Sequence, residues 1–264
     1  MPLSQLSEQE VFAENFCQQT VAKALLILAN SWFRFKQFTI QQDACAMKVT
    51  TDACLFGAWI PLDHEPKFIL DIGAGTGLLS LMMAQRAPEV TILGVELDGA
   101  AAKQALENAQ DSPFAKRISI VQQDVQQFAI ETEEKFDLIL SNPPFFKNHL
   151  HSPLAKVNAA RHQETLSLEQ LAEAIVKLLA PTGKAAILLP ENEAKAFTKL
   201  MRSLGLGLQI QVEVLNKPGE PVFRNMLLFG SASTYQTYQL PIRNQKGEYS
   251  DVFKESLRNF YLQI

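Results

Sequence analysis

The sequence predicts an α/β fold: a doubly wound, mainly parallel sheet of seven strands with one reversed strand at its edge. Three observations predict it. From residue 66 onward, apolar runs of strand length alternate with amphipathic stretches of helical period. The first of those runs ends in a glycine turn, Gly73-Ala74-Gly75-Thr76-Gly77. The last two runs are joined by a short turn through Lys217-Pro218-Gly219 with no helix between them, so they pair antiparallel.

The elements follow in order. Residues 1–30 are polar, then apolar, and read as an N-terminal extension of helical pattern; residues 31–264 read as one domain. Trp32–Ile40 alternates like a strand, with aromatics on one face and Arg34 and Lys36 on the other. Ala46–Trp59 leads into a helix. The strands are then Lys67–Ile72, Val90–Val95, Arg117–Val121, Phe136–Leu140, Lys184–Leu189, Leu206–Val214 and Val222–Phe229. Between them lie helices over Leu78–Arg86, Ala100–Gln110, Ser167–Leu179 and Glu191–Leu204. Ser167 with Gln170 makes a capping box, and Leu168, Leu171, Ile175 and Leu178 line one face of the helix behind it. Tyr249, Val252, Phe253, Leu257, Phe260 and Tyr261 form a closing amphipathic helix.

Composition narrows the class. With 264 residues, 47% apolar and 20% charged, the chain has an ordinary globular make-up. A net charge of −4 gives no overall support for nucleic-acid binding, which then needs a local basic patch. Cys17, Cys45 and Cys54 form no C-x-x-C pair, and the four histidines are scattered, so no metal is expected. The thiols read as reduced and the chain as cytoplasmic. No membrane span is expected, since no apolar run reaches the necessary length. Glu8, Glu10 and Glu14 stand where a signal peptide is basic.

The chemistry gathers at strand ends. Ser141-Asn142-Pro143-Pro144-Phe145-Phe146 follows the fourth sheet strand. Each proline forces the residue before it out of the helical region, so the chain leaves the strand as a stiff extended lip. The Asn142 side-chain oxygen and the Pro143 carbonyl suit the two N–H bonds of a planar group with an exocyclic NH2, and Phe145 suits its face. At the first strand end, Asp71-Ile72-Gly73-Ala74-Gly75-Thr76-Gly77 lets backbone approach a ligand and offers N–H groups to an anion. Glu96, at the second strand end, stands nineteen residues after Gly77 and suits ribose hydroxyls. Asp124, after the third, suits an adenine amine.

Two cofactors share this plan. A dinucleotide wants G-x-G-x-x-G under its pyrophosphate, whereas this loop is G-x-G-x-G. S-adenosylmethionine has no phosphate; its carboxylate suits the loop amides and its ribose suits Glu96. The four strand-end features together resemble a Rossmann-like class I S-adenosylmethionine-dependent methyltransferase with the N-P-P-F signature of amino-group methylators. Phe35-Lys36-Gln37-Phe38, Ala46-Met47-Lys48-Val49, Thr51-Asp52 and Leu55-x-Gly57-Ala58-Trp59 narrow the resemblance to the bacterial valine-tRNA adenine-N6 methyltransferases. Ala160-Arg161-His162, Lys217-Pro218-Gly219 and Phe260-Tyr261-Leu262 extend it to about residues 33–262. Thr50 and Ala53 depart from the glycines expected there.

The resemblance implies methyl transfer to the N6 amine of an adenosine in tRNA, the purine 3′ of the anticodon. Asn142, Pro143 and Phe145 are the implied catalytic residues. Asp71, Gly73, Gly75, Gly77, Glu96, Asp124 and Asn142 are the implied cofactor residues. Protein glutamine methylation, rRNA guanine-N2 methylation and an RNA-binding module keeping a cofactor pocket are the alternatives. On the substrate side the candidates are Lys36, Lys48, Asp52, Lys147 and Arg161. Between Phe146 and Glu164 the chain carries Lys147, Lys156 and Arg161 with no Asp or Glu, which reads as a tRNA contact. Asp52 has a second reading, as a helix cap together with Thr51.

Overall fold

The computed structural model describes residues 31–144, 166–231 and 235–264. The helical extension expected over residues 1–30 lies outside the described residues, as do Phe145, Lys147 and Arg161. In chain order the described elements are β1 (Trp32–Arg34), β2 (Thr39–Gln41), α1 (Thr51–Trp59), β3 (Phe68–Ile72), α2 (Leu78–Arg86), β4 (Thr91–Glu96) and α3 (Gly99–Gln110). They continue with β5 (Ile118–Gln122), α4 (Val125–Glu131), β6 (Phe136–Ser141), α5 (Leu168–Leu178), β7 (Leu179–Leu189) and α6 (Glu191–Ser203). β8 (Gly207–Leu215), β9 (Val222–Gly230), β10 (Gln236–Pro241) and α7 (Asp251–Leu257) complete them.

The main sheet has the order β10-β8-β9-β7-β6-β3-β4-β5. β5, β4, β3, β6 and β7 run parallel. β9 runs antiparallel to both its neighbours, β7 and β8. The doubly wound, mainly parallel expectation therefore stands, with two corrections. The sheet has eight strands instead of seven, and the reversed strand is inside it instead of at the edge. The burial pattern explains both. Residues Asn225–Gly230 of β9 are buried on successive positions, so both faces of that strand are covered, which only an interior place allows. β10 pairs parallel with β8 and takes the edge. Its sequence, Gln-Thr-Tyr-Gln-Leu-Pro, has no apolar alternation, and Pro241 lacks the N–H that an interior strand needs.

The early aromatic stretch is a third correction. Trp32–Ile40 is a hairpin of two short antiparallel strands, with Phe33 opposite Ile40. The Phe35 N–H donates to the Phe38 carbonyl at 2.8 Å, and their rings stack at 4.6 Å. The turn falls where the alternation looked continuous, because both turn aromatics are buried.

Two cores sandwich the sheet. One packs Leu55, Phe56, Leu81, Met82, Phe253 and Leu257, from α1, α2 and α7, against the sheet together with the hairpin's Phe35 and Phe38. The other packs α4, α5 and α6 through Phe128, Leu171, Ile175 and Phe197. The Ser167 capping box is present: its hydroxyl accepts from the Gln170 N–H at 3.2 Å, and its own N–H donates to Gln170 Oε1 at 2.8 Å. α4 had no separate expectation. It exists because Asp124 caps it, accepting from the Gln126 and Gln127 N–H groups at 2.8 and 3.0 Å.

Candidate active site

The strand register sets one row of groups along the carboxyl edge of the sheet. Ile72 of β3 lies beside Val95 of β4 on one side and Ser141 of β6 on the other, and Glu96 lies beside Gln122 of β5. Neighbouring strands are about 4.8 Å apart. Asp124, Glu96, the glycine loop and Asn142 therefore follow one another across four adjacent strand ends. The winding reverses between β3 and β6, so the glycine loop and Asn142 flank the switch in strand order, where open α/β sheets bind ligands.

The glycine loop turns through positive φ at Gly73 (71°), Gly75 (54°) and Gly77 (78°), which residues with a Cβ rarely adopt. A Cβ at Gly73 would meet nothing within 4 Å, so the space over the loop is open. Four of the loop amides, however, are engaged within the protein. Gly73 and Ala74 N–H both donate to the Val95 carbonyl, at 2.8 and 3.2 Å, and Gly77 N–H donates to the Ala74 carbonyl at 2.8 Å. Gly75 N–H donates to Glu96 Oε2 at 2.8 Å. A buried strand end must satisfy its own donors, and here it does so internally.

Glu96 accepts a second bond, from the Asp98 N–H to Oε1 at 2.9 Å. Each carboxylate oxygen keeps a further lone pair, so Glu96 locks the loop and still offers acceptors to a diol. Asp124 gives Oδ1 to the start of α4 and keeps Oδ2. Asp71 does not reach the open side of the loop. It is 1% exposed, and its Oδ2 accepts from Ser80 Oγ at 2.7 Å and Ser80 N at 3.1 Å, which fastens α2 beneath the loop. Burial is the main cause that lifts its pKa to about 6; the two Ser80 bonds oppose the rise and Glu96 adds to it.

At the lip, Ser141 donates its hydroxyl to the Ile72 carbonyl at 2.9 Å and so ties β6 to the start of the glycine loop. Pro143 is buried beside it. Asn142 Oδ1 is buried and has no hydrogen-bond partner among the described residues. Its Nδ2 meets Met47 Sδ at 3.9 Å. A buried amide oxygen left unpaired is costly unless a ligand completes it. With the open loop, the Glu96 acceptors and this orphaned oxygen, the residues fit S-adenosylmethionine on one side and a donor amine on the other.

The substrate-side candidates separate. Asp52 is neither a helix cap nor open to a substrate: its Oδ2 accepts from Arg224 Nε at 2.8 Å, in an ion pair only 15% and 27% exposed. The cap of α1 is Thr50, whose hydroxyl accepts from the Ala53 N–H. Lys36 donates its ammonium to the Arg258 carbonyl and its backbone N–H to the Phe260 carbonyl, which docks the C-terminal segment on the hairpin. Lys48 is exposed.

Sequence reasoning picked out Ala46-Met47-Lys48-Val49 only for its resemblance and missed its contact with the strand-end row. Residues 42–50 connect β2 to α1 and bring Cys45 close to Glu96 and Met47 close to Asn142. Burial pushes the Cys45 thiol up to about 11, and the charges of Glu96, Asp98 and Asp43 push the same way. Gln104 and Asn108 of α3 hold this segment, and both are buried. The available signal was two amides at i and i+4 among the alanines of α3's buried face. A cavity of about 680 Å³ lies elsewhere, between α6 and β8, lined by Lys195, Thr198, Lys199, Arg202, Gln211 and Tyr235 among others. None of the strand-end residues lines it, so chemistry and not volume marks the site.

Fold and site together define a class: the S-adenosylmethionine-dependent methyltransferases built on a doubly wound sheet. The family described as Methyltransferase small domain matches residues 56–194. A solved structure, of a predicted O-methyltransferase from Agrobacterium tumefaciens, shares the fold with a TM-score of 0.60 at 17% identity, over 79% of this chain and 96% of that one. The particular family is given by sequence. A tRNA1(Val) (adenine(37)-N6)-methyltransferase of Dyadobacter fermentans is 43% identical over 240 residues, 89% of this chain and 99% of the relative. The Bacteroides fragilis protein of the same name is 38% identical over 90% of this chain and 100% of its own length. The chain belongs to this family.

Proposed function

We propose that this protein methylates the N6 amine of adenine 37 in a valine tRNA, with S-adenosylmethionine as methyl donor. The observation that carries the reading is the Asn142 side-chain oxygen: buried, unpaired among the described residues, and one strand from the glycine loop. The relatives, which this chain matches over nearly their whole length, carry that activity in their names.

The donor supplies a methyl group on a sulfonium, already activated. The nucleophile is harder to obtain, because the N6 lone pair of adenine is delocalised into the ring. Asn142 Oδ1 and the Pro143 carbonyl accept its two N–H bonds, which favours a pyramidal nitrogen with its lone pair aimed at the methyl. Transfer forms the N–C bond as the S–C bond breaks, and that bonding pair stays on sulfur. The extra proton then leaves the nitrogen for water. Glu96 would hold the donor's ribose hydroxyls and Asp124 its adenine amine, while Asp71 acts from below by holding α2 against the loop. Phe145 stacks on the target base, which must leave its own stack to reach the lip. Positioning and fixed dipoles thus supply the catalysis. A tRNA substrate puts the proposed reaction in the cytoplasm. Separately, no helix among the described residues is long and apolar enough to cross a membrane.

The test is incubation with methyl-labelled cofactor and total tRNA, followed by digestion to nucleosides. Label in N6-methyladenosine is expected. Label in N2-methylguanosine, or in glutamine of added protein, overturns the reading.

A further inference from the structure

We infer that Met47 is a positioning residue that orients the Asn142 amide, and that Gln104 and Asn108 of α3 hold Met47 where it does so. The inference rests on Asn142 as acceptor of the target amine.

A side-chain amide can turn by 180° with almost no change in shape. Only one of the two orientations serves the reaction. With Oδ1 toward the target amine, acceptor meets donor; turned over, two N–H donors meet two N–H donors. Inside the protein, Asn142 Oδ1 has no partner among the described residues, so no described group on that side selects the orientation. The other side does. Nδ2 meets Met47 Sδ at 3.9 Å. A thioether sulfur is a weak acceptor and never a donor, so it favours Nδ2 beside it and disfavours Oδ1 there. The contact is weak, but it is a sign selector acting on two orientations that otherwise differ little.

Met47 belongs to a segment without helix or strand, residues 42–50, and is 38% exposed. Its place is set by α3. Asn108 Oδ1 accepts from the Gln41 N–H at 2.8 Å, and Asn108 Nδ2 donates to the Gln41 carbonyl at 2.9 Å. One side chain thereby pairs with both backbone groups of Gln41, as a neighbouring strand would. The second Nδ2 hydrogen reaches the Thr76 carbonyl in the glycine loop at 2.9 Å. Gln104, one turn earlier, accepts from the Ala44 N–H at 3.1 Å and donates to Asp43 Oδ1 at 2.6 Å. Farther along, the Val49 N–H donates to Gln42 Oε1 at 2.8 Å. Asn108 is 2% exposed and Gln104 6%, so both amides reach the segment from inside the protein. α3 therefore pins the segment on the N-terminal side of Met47 and, through the Thr76 carbonyl, ties it to the glycine loop, while the Val49–Gln42 bond holds it on the other side.

The test uses Met47→Leu and Gln104→Ala. Leucine keeps the volume of methionine and removes the acceptor. Each variant should lower kcat about three- to tenfold while the KM for S-adenosylmethionine stays near wild type; the Tm should stay near wild type in Met47→Leu and fall in Gln104→Ala, which loses two hydrogen bonds. In an Asn142→Ala background, where the amide is already gone, neither should lower kcat further. A second readout needs no tRNA. The side-chain NH2 resonances of Asn142, assigned by their loss in Asn142→Ala, should shift in Met47→Leu and in Gln104→Ala. Unshifted resonances in Met47→Leu, or added losses of kcat in the Asn142→Ala background, overturn the inference. Should Gln104→Ala fail to fold, Met47→Leu at its exposed site decides alone. Absence of N6-methyladenosine from the wild-type reaction would instead remove the functional reading, and the resonance comparison would still decide whether Met47 orients the amide.

Discussion

Asp71 is a carboxylate with no water around it, and its pKa of about 6 makes it a reporter of folding. A pKa raised above the ordinary 3.8 means the folded state holds the proton more tightly than the unfolded chain does. The stability it contributes is full below 3.8 and is lost as pH rises through about 6. Asp71→Asn removes this titration. Measured by urea unfolding at a series of pH values, the variant should gain on the wild type by roughly 1–3 kcal/mol between pH 3.8 and 6 and run parallel to it above. Glu96 and Asn142 act on different partners and should separate cleanly. Glu96→Ala removes both the ribose acceptor and the Gly75 lock, so calorimetry should show cofactor affinity at least about tenfold weaker. Asn142→Ala should keep cofactor affinity and lose methyl transfer by more than about tenfold. Equal cofactor binding by Glu96→Ala, or near wild-type turnover by Asn142→Ala, refutes the assignment concerned.

Among the elements, α1 is held by its contact with α2. Gly57 lies where a Cβ would come within 2.6 Å of Met82 Sδ and 3.2 Å of Leu79 Cδ2. Met82 is fully buried, so its thioether end can shift only by repacking within the core. Alanine at this helical position gains about 1 kcal/mol of propensity over glycine. Overpacking a full core costs about 1–3 kcal/mol, so the clash wins. Gly57→Ala should lower the Tm in thermal denaturation; an unchanged or raised Tm would show that α1 can slide. α1 is also tied at its other end, where the Asp52–Arg224 pair joins it to β9 across 172 residues of sequence. That pair brings the interior reversed strand to the same edge of the sheet as the lip, because Asn225 of β9 lies beside Leu189, the last residue of β7.

For the molecule as a whole, the difficulty is that a chain of net charge −4 has to hold an RNA. The stretch between Phe146 and Glu164, with Lys147, Lys156 and Arg161 and no carboxylate, leaves directly from the lip. Lysine and arginine contacts to phosphates release counterions, so binding weakens steeply with salt. Lys147→Ala combined with Arg161→Ala should raise the KM for tRNA and flatten its salt dependence, with cofactor affinity unchanged. Lys36 is exposed and keeps its charge and two further donors while it donates to the Arg258 carbonyl. An unchanged salt slope in the double variant would move the RNA contact to another surface.

Much of this protein was legible in its sequence because the signals are local. A strand of Phe136-Asp137-Leu138-Ile139-Leu140 followed by Asn-Pro-Pro, a glycine turn after Asp71-Ile72, and a carboxylate at each of two further strand ends are all written within a few residues. Periodicity and proline stereochemistry read such signals directly. Only the tertiary structure decided the rest. It put β9 inside the sheet and the polar β10 at the edge, since burial on both faces of a strand is a property of its neighbours. It turned Asp71 from a ligand contact into a buried anchor and gave the loop amides to Val95 and Glu96. It also joined Asn108 to Gln41 across 67 residues, and through that segment set Met47 against Asn142. Hydrogen bonds between distant residues leave no period in a sequence; they exist only where folding brings a donor and an acceptor together and shuts water out.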